Sequence, residues 1–213
     1  MRNLSLIIIL LAISFNCYAD RLFIFNSPGY NAADPALIAA ITAQGHTIVE
    51  NTTTLTLPPG FTTSCNDPAN GFDWLCFFGN ADYTSLTTDI KNFIDAGGKV
   101  FYQYEVTCCT TSSFSVAAIL ASITGLPITE NAHAYIAWSL SADAAYSGTI
   151  ECCGTFEGNA YKGLDGVPVD NQLQADSTYP SASPAVDSCL NFGVTFSTTD
   201  FVGTANKGAF IGL

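Results

Sequence analysis

The sequence predicts an α/β fold in which a mostly parallel sheet with flanking helices is followed by a loop-rich, β-containing second half. Three observations carry this. Short β-rich runs alternate with helix-patterned segments between residues 21 and 125. The run Phe72 to Phe78 is apolar at nearly every position, as a strand covered on both faces must be. The connections of the opening strand–helix–strand unit are short, and its helix is closed by glycine.

Each element has its own local cause. Arg21 to Asn26 is an apolar run that reads as a buried first strand, ended by Ser27-Pro28-Gly29. Asp34 precedes Pro35, a capping residue followed by proline at the first helical position. Leu37, Ile38 and Ile41 share a face of that helix, and Gly45 ends it. His46 to Asn51 reads as a second strand, so the chain opens strand–helix–strand with a parallel pair. Residues 52–72, rich in Thr, Pro, Gly, Asn and Asp, read as a long loop tied down at Cys65. Phe72 to Phe78 is the third strand, stopped at Gly79-Asn80. Leu86, Ile90, Phe93 and Ile94 then mark a helix that ends at Gly97-Gly98. Lys99 to Val106 reads as a fourth strand, and Thr107-Cys108-Cys109-Thr110 as its turn. Ser112 or Ser113 caps a helix with Val116, Ile119, Leu120 and Ile123 on one face, ended by Gly125.

The second half has a different texture. Ala134, Ile136, Trp138 and Leu140 alternate with His133, Tyr135, Ala137 and Ser139, which predicts a half-buried strand with Trp138 inward. Gly148 to Ser188 shows no helical period and predicts short strands and loops. Leu190 to Phe196 and Lys207 to Leu213 read as late strands. The apolar end at Leu213 suggests that more protein follows.

The N-terminus carries the layout of a secretory signal. Met1 and Arg2 give a positive start, Leu4 to Phe15 an apolar run, and Asn16 to Ala19 a more polar stretch closing on a small residue. Residues 1–19 are therefore expected to leave on export, with 20–213 forming one α/β domain. The expected location is secreted, periplasmic or at the cell surface. The apolar run is too short to span a bilayer, which needs about 20 residues, and no later segment does so. The chain has 18 Asp and Glu against 6 Lys and Arg, a net charge of −12, which repels phosphate backbones and argues against nucleic acid as a partner. Beyond Cys17, the cysteines are Cys65, Cys76, Cys108, Cys109, Cys152, Cys153 and Cys189. Disulfides are their expected state outside the cytoplasm, and the odd number leaves one thiol over. Cys65 and Cys76 are candidates to staple one long loop, and Cys108-Cys109 to reach Cys152-Cys153.

One stretch carries a family likeness. Phe72-Asp73-Trp74-Leu75 opens an apolar strand that ends at Gly79-Asn80. Leu86, Ile90 and Phe93-Ile94 pattern the next helix, and Ala96-Gly97-Gly98-Lys99-Val100-Phe101 leads into the next strand. This resembles the flavodoxin-like core of the class I glutamine-amidotransferase-like superfamily, and most its trehalose-utilisation-protein branch. Enzymes of that superfamily place a cysteine on a tight turn after such a strand, where this chain has Cys108 and Cys109. The glycines that flank the cysteine in those enzymes are replaced here by Val106-Thr107 and Thr110-Thr111, and no His-x-Glu follows. The resemblance thus implies a non-catalytic member, like the surface-exposed domains of large exported bacterial proteins.

In open α/β sheets ligands collect beyond the carboxyl ends of the strands. Here those ends bring Asn26, Asn80 and Glu105 to one rim, making them the candidate ligand-binding residues. Glu105, Cys108 and Cys109 are the candidate catalytic residues. His46 and His133 are the only histidines, too few for a histidine-rich metal site, and neither a metal nor a cofactor is expected. Glu151, Glu157, Asp165 and Asp170 read as solvated acidic loops. Tyr102, Tyr104, Tyr135, Tyr146, Tyr161 and Tyr179 are candidates to stack on sugars. The expectation is a non-enzymatic exported domain for binding an extracellular ligand, a glycan or surface component, or for surface attachment. The alternative is an extracellular hydrolase using the rim around Glu105 and Cys108/Cys109.

Overall fold

The computed structural model describes residues 19–28, 32–104, 111–135, 138–139, 157–158, 161–175, 190–197, 199–202 and 208–212. The first half runs β1 (Arg21–Asn26), α1 (Pro35–Ala43), β2 (Thr47–Thr52), β3 (Trp74–Phe78), a 3-10 turn (Thr84–Leu86), α2 (Thr87–Asp95), β4 (Lys99–Tyr102) and α3 (Thr111–Thr124). The second half adds β5 (Thr129–Tyr135), β6 (Trp138–Ser139), β7 (Glu157–Gly158), β8 (Tyr161–Asp165), a 3-10 turn (Val169–Asn171), β9 (Gln172–Ala175), β10 (Leu190–Phe196) and β11 (Ala209–Gly212).

One seven-stranded sheet has the order β2-β1-β3-β4-β11-β10-β9. β2, β1, β3, β4 and β11 run parallel, while β10 is antiparallel to both of its neighbours. This is the flavodoxin-like 2-1-3-4-5 order, with the fifth parallel place taken by β11. Two small antiparallel pairs, β5 with β8 and β6 with β7, are not hydrogen-bonded into it.

The alternation of side chains along parallel strands divides the core in two. Phe23, Phe25, Leu75, Phe77, Val100, Tyr102 and Phe210 share a cluster with Ile90, Phe93 and Ile94 of α2 and Val116, Ile119, Leu120 and Ile123 of α3. Leu22, Ile24, Trp74, Cys76, Phe78 and Phe101 face the other way, onto Leu37 and Ile41 of α1. Helices cover both faces, which explains why β3 is buried at all five positions.

Local signals act as the sequence requires at several ends. Asp34 Oδ1 accepts a hydrogen bond from the Leu37 backbone N–H at 2.7 Å, and Pro35 opens α1. Other boundaries differ from expectation. β3 begins at Trp74 rather than Phe72, because Phe72 instead forms an isolated bridge with Thr63 and packs on Phe61 at 4.6 Å. The β4 ladder ends at Tyr102, which pairs with Phe77 of β3 and Gly212 of β11. Of the expected strand around Trp138, the described residues fall in β5, which starts earlier, at Thr129, and in β6, Trp138–Ser139; residues 136, 137 and 140 lie outside the described residues.

Gly79 closes β3 with φ +83°, and a Cβ there would lie 1.9 Å from the Ser27 carbonyl oxygen. Only glycine lets the ends of β1 and β3 approach this closely. Gly79→Ala is expected to lower stability by about 2 kcal/mol or more, combining a disfavoured φ with a backbone clash. Urea denaturation followed by fluorescence measures this.

Candidate functional site

The described residues form two candidate places: the rim beyond the strand carboxyl ends, and a cavity at the other end of β3.

At the rim, the ends of β1 and β3 are fastened to each other. The Ser27 N–H donates to the Phe78 carbonyl at 3.0 Å. The Asn26 side chain folds back on the chain: its Nδ2 donates to the Ala33 carbonyl at 3.0 Å, and its Oδ1 accepts the Ala33 N–H at 2.8 Å. Both ends of that amide hold the loop between β1 and α1. Asn80 is half-buried on the neighbouring strand end, so these two sequence-predicted residues do meet at one rim. Glu105, Cys108 and Cys109 lie outside the described residues, as do Cys152, Cys153 and Cys189.

Beneath the rim runs a buried hydroxyl network that sequence reading missed. The Tyr83 hydroxyl donates to the Phe78 carbonyl at 2.7 Å. Ser115 Oγ, in the second turn of α3, accepts the Tyr83 N–H at 2.8 Å and the Tyr102 hydroxyl at 2.9 Å. Burial pushes the Tyr83 phenol up to about 12 and the Tyr102 phenol well above its usual value. Both stay protonated donors. Tyr102 and Tyr104 are buried, so neither offers a face for stacking on sugars. Asp82, exposed at the edge of this network, accepts from the Thr84 hydroxyl at 2.6 Å and the Thr84 N–H at 2.9 Å. The Thr84 hydroxyl and N–H, with help from Ser115, hold its carboxyl below the usual carboxylate range. Asp82 is thus an ionised acceptor, unsuited to act as a general acid near neutral pH.

The cavity lies where the 52–72 loop crosses α2. It has a volume of about 400 Å³, within the range of small-ligand sites. Asp89, Asn92, Phe93 and Ala96 supply the α2 wall, being three and four residues apart on one helix face. Phe61, Thr62 and Asn66 are prominent on the loop wall. This loop is braced without Cys65. Phe61 sits 4.6 Å from Phe72 and 5.2 Å from Phe93. Thr63 Oγ1 donates to the Ala96 carbonyl at 3.0 Å, and Ser64 Oγ donates to Asp73. Arg21 Nε donates to the Gly71 carbonyl at 2.8 Å, with the guanidinium 5.9 Å from the Phe72 ring centroid. The sequence signal for this was present: Phe61 and Phe72 are aromatic residues inside a loop rich in small and polar ones.

The expected staple between Cys65 and Cys76 is not formed. Cys65 is exposed and free, while Cys76 is free and buried among Trp74, Phe78 and α1 side chains. The reason is the pleat: Cys76 alternates onto the α1 face, whereas the loop packs on the α2 face through Phe61. Burial, with the Asp20 carboxylate nearby, pushes the Cys76 thiol far up.

His46 lies at the amino end of β2, where its ring is buried and contacts Asp20. His133 falls on β5, and Asp165 and Asp170 are exposed. Among the described residues no three His, Cys, Asp or Glu side chains gather closely enough to hold a metal ion. Nor, among them, is any helix long and apolar enough to cross a membrane.

No protein-family model matches the chain, and no curated protein matches it by sequence. Among solved structures, a glutamine amidotransferase from Thermotoga maritima overlays with a TM-score of 0.46 and 8% identity. The overlay covers 91% of this chain and 75% of that one. The strand order of the sheet, rather than so distant a likeness, defines the fold class as a mostly parallel, flavodoxin-like α/β sheet.

Two outcomes follow from the local chemistry. A thiol reagent at neutral pH is expected to label Cys65 rapidly and to leave Cys76 unlabelled until the chain unfolds, as peptide mass spectrometry would read. The Asp82 contribution to stability should be complete above the ordinary aspartate value of 3.8 and fade as pH falls through the lower folded value. Hence Asp82→Asn should be less stable than the native protein at pH 7, and the gap should close as pH falls below 3.8. Thermal melts across that range check it.

Proposed function

We propose that this chain is an exported, non-enzymatic domain of the trehalose-utilisation-like branch that binds a neutral, hydroxyl-rich ligand such as a glycan. The observation that carries the reading is the cavity between the 52–72 loop and α2. Its walls combine aromatic edges, from Phe61 and Phe93, with short polar groups on Thr62, Asn66, Asp89 and Asn92. Sugars need both: apolar ring faces against aromatic carbon, and side-chain amides or carboxylates for the hydroxyls.

Two further features support the reading. The loop wall is fixed by packing and hydrogen bonds, so little ordering cost would fall on binding. Three cations of the first half are already engaged: Arg21 on loop carbonyls, Lys91 with Asp95 at 2.5 Å, and Lys99 over the Trp74 ring at 5.1 Å. A neutral ligand suits such a surface better than an anionic one. At the rim, the Asn26 amide, the Tyr83 hydroxyl and Ser115 Oγ serve the fold, which favours the cavity over the rim as the binding place.

Isothermal titration with cellohexaose, maltohexaose, xylohexaose and chitohexaose tests this. At least one probe is expected to bind with a dissociation constant between about 10 μM and 1 mM. Asn92→Ala and Asp89→Ala should each weaken that probe by about fivefold, the loss of one hydrogen bond. Binding that ignores both substitutions, the absence of binding by all four probes, or turnover of a probe that is abolished by Cys108→Ser or Cys109→Ser would contradict the proposal.

A further inference from the structure

Asp20 is held at three points at the amino end of the sheet. Its backbone N–H donates to His46 Nδ1 at 3.3 Å. Its carbonyl accepts the Thr47 N–H at 2.8 Å. Its carboxylate accepts the Trp74 indole N–H at 3.2 Å and lies 3.6 Å from His46 Nδ1. Asp20 and His46 are both 8% exposed, while Ala19, one residue earlier, is exposed. The residue where the expected signal ends is thus the one before the residue where the fold takes hold. Cys17 and Ala19 are both small, the pattern an export peptidase reads at its cleavage point.

From this geometry we infer that Asp20 is the mature N-terminus and that its new α-ammonium is captured by His46. Hydrolysis of the Ala19–Asp20 bond adds one water: the Ala19 carbonyl becomes a carboxylate, and the Asp20 nitrogen becomes an ammonium. The nitrogen stays where it is. Its neutral N–H···Nδ1 contact becomes a charge-assisted one, with the Asp20 carboxylate beside it to balance the buried charge. His46 Nδ1 must be unprotonated to accept, which puts the ring proton on Nε2. The Asp20 carboxylate also gains a cationic neighbour without recruiting a basic residue from a chain that has few. Processing therefore tightens the start of β1 against β2 and β3.

This inference rests on export, and it is independent of the ligand: a failure of glycan binding would leave it untouched. The full chain is expressed with its own signal, and the exported protein is analysed by N-terminal sequencing and intact mass. The expected mature chain begins at Asp20. Its α-amine is then acetylated at mildly acidic pH, where lysine amines stay protonated. Acetylation is expected to lower the melting temperature by about 2–4 °C. His46→Leu should abolish that acetylation effect, and His46→Asn, which keeps an acceptor near the Nδ1 position, should restore most of it. An N-terminus other than Asp20, a melting temperature indifferent to acetylation, or an equal acetylation effect in His46→Leu would overturn the inference.

Discussion

The structure depends on one row of aromatic rings laid across four parallel strands. Phe25 of β1 stacks on Phe77 of β3 at 5.2 Å, Phe77 on Tyr102 of β4 at 5.2 Å, and Tyr102 on Phe210 of β11 at 6.3 Å. All four residues are fully buried. Phe25 and Phe77 are register partners, as are Phe77 and Tyr102, so the row can form in only one alignment of β1, β3 and β4. A slip of one residue would turn the rings onto the α1 face and lose both the burial, about 1.5–3 kcal/mol per ring, and the stacking, about 0.5–1.5 kcal/mol per pair. Tyr83 leans on the same row from the 3-10 turn, 4.8 Å from Phe77 and 5.6 Å from Tyr102. The rim network of Ser115, Tyr83 and Tyr102 hangs from these rings.

The first half of this architecture was legible in the sequence because its signals are local. Asp34-Pro35 marks a helix start whatever lies elsewhere, and the all-apolar β3 announces a sheet covered twice. The place of β11 was not legible. Its run at residues 209–212 reads as a strand, yet nothing near it says that it inserts between β4 and β10, more than a hundred residues from its β4 partner in the chain. That choice is made by Phe210 completing a row begun at Phe25. The long loop was misread for a similar reason. Cysteine chemistry suggested a staple at Cys65, but Phe61 and Thr63 reach α2 side chains and carbonyls that no local pattern connects to them.

The candidate site was partly legible. Topology brought Asn26 and Asn80 to one rim, as expected of strand ends in a parallel sheet. What topology could not say is that the Asn26 amide turns inward to Ala33, leaving an ionised Asp82 as the exposed acceptor at that edge. The cavity was invisible for a simple physical reason: it is made by two segments, residues 57–66 and 89–96, whose contact is tertiary. The rim and the cavity sit on opposite ends of the strands that the aromatic row holds in register. One cooperative sheet therefore positions both.

That cooperativity is the central claim, and native-state hydrogen exchange tests it most directly. If the row unites the sheet, backbone amides of β1, β3, β4 and β11 will exchange only through global unfolding, with one shared free energy and one shared denaturant dependence. Exchange of β11 through a separate, lower-energy opening, while β1, β3 and β4 remain protected, would contradict it.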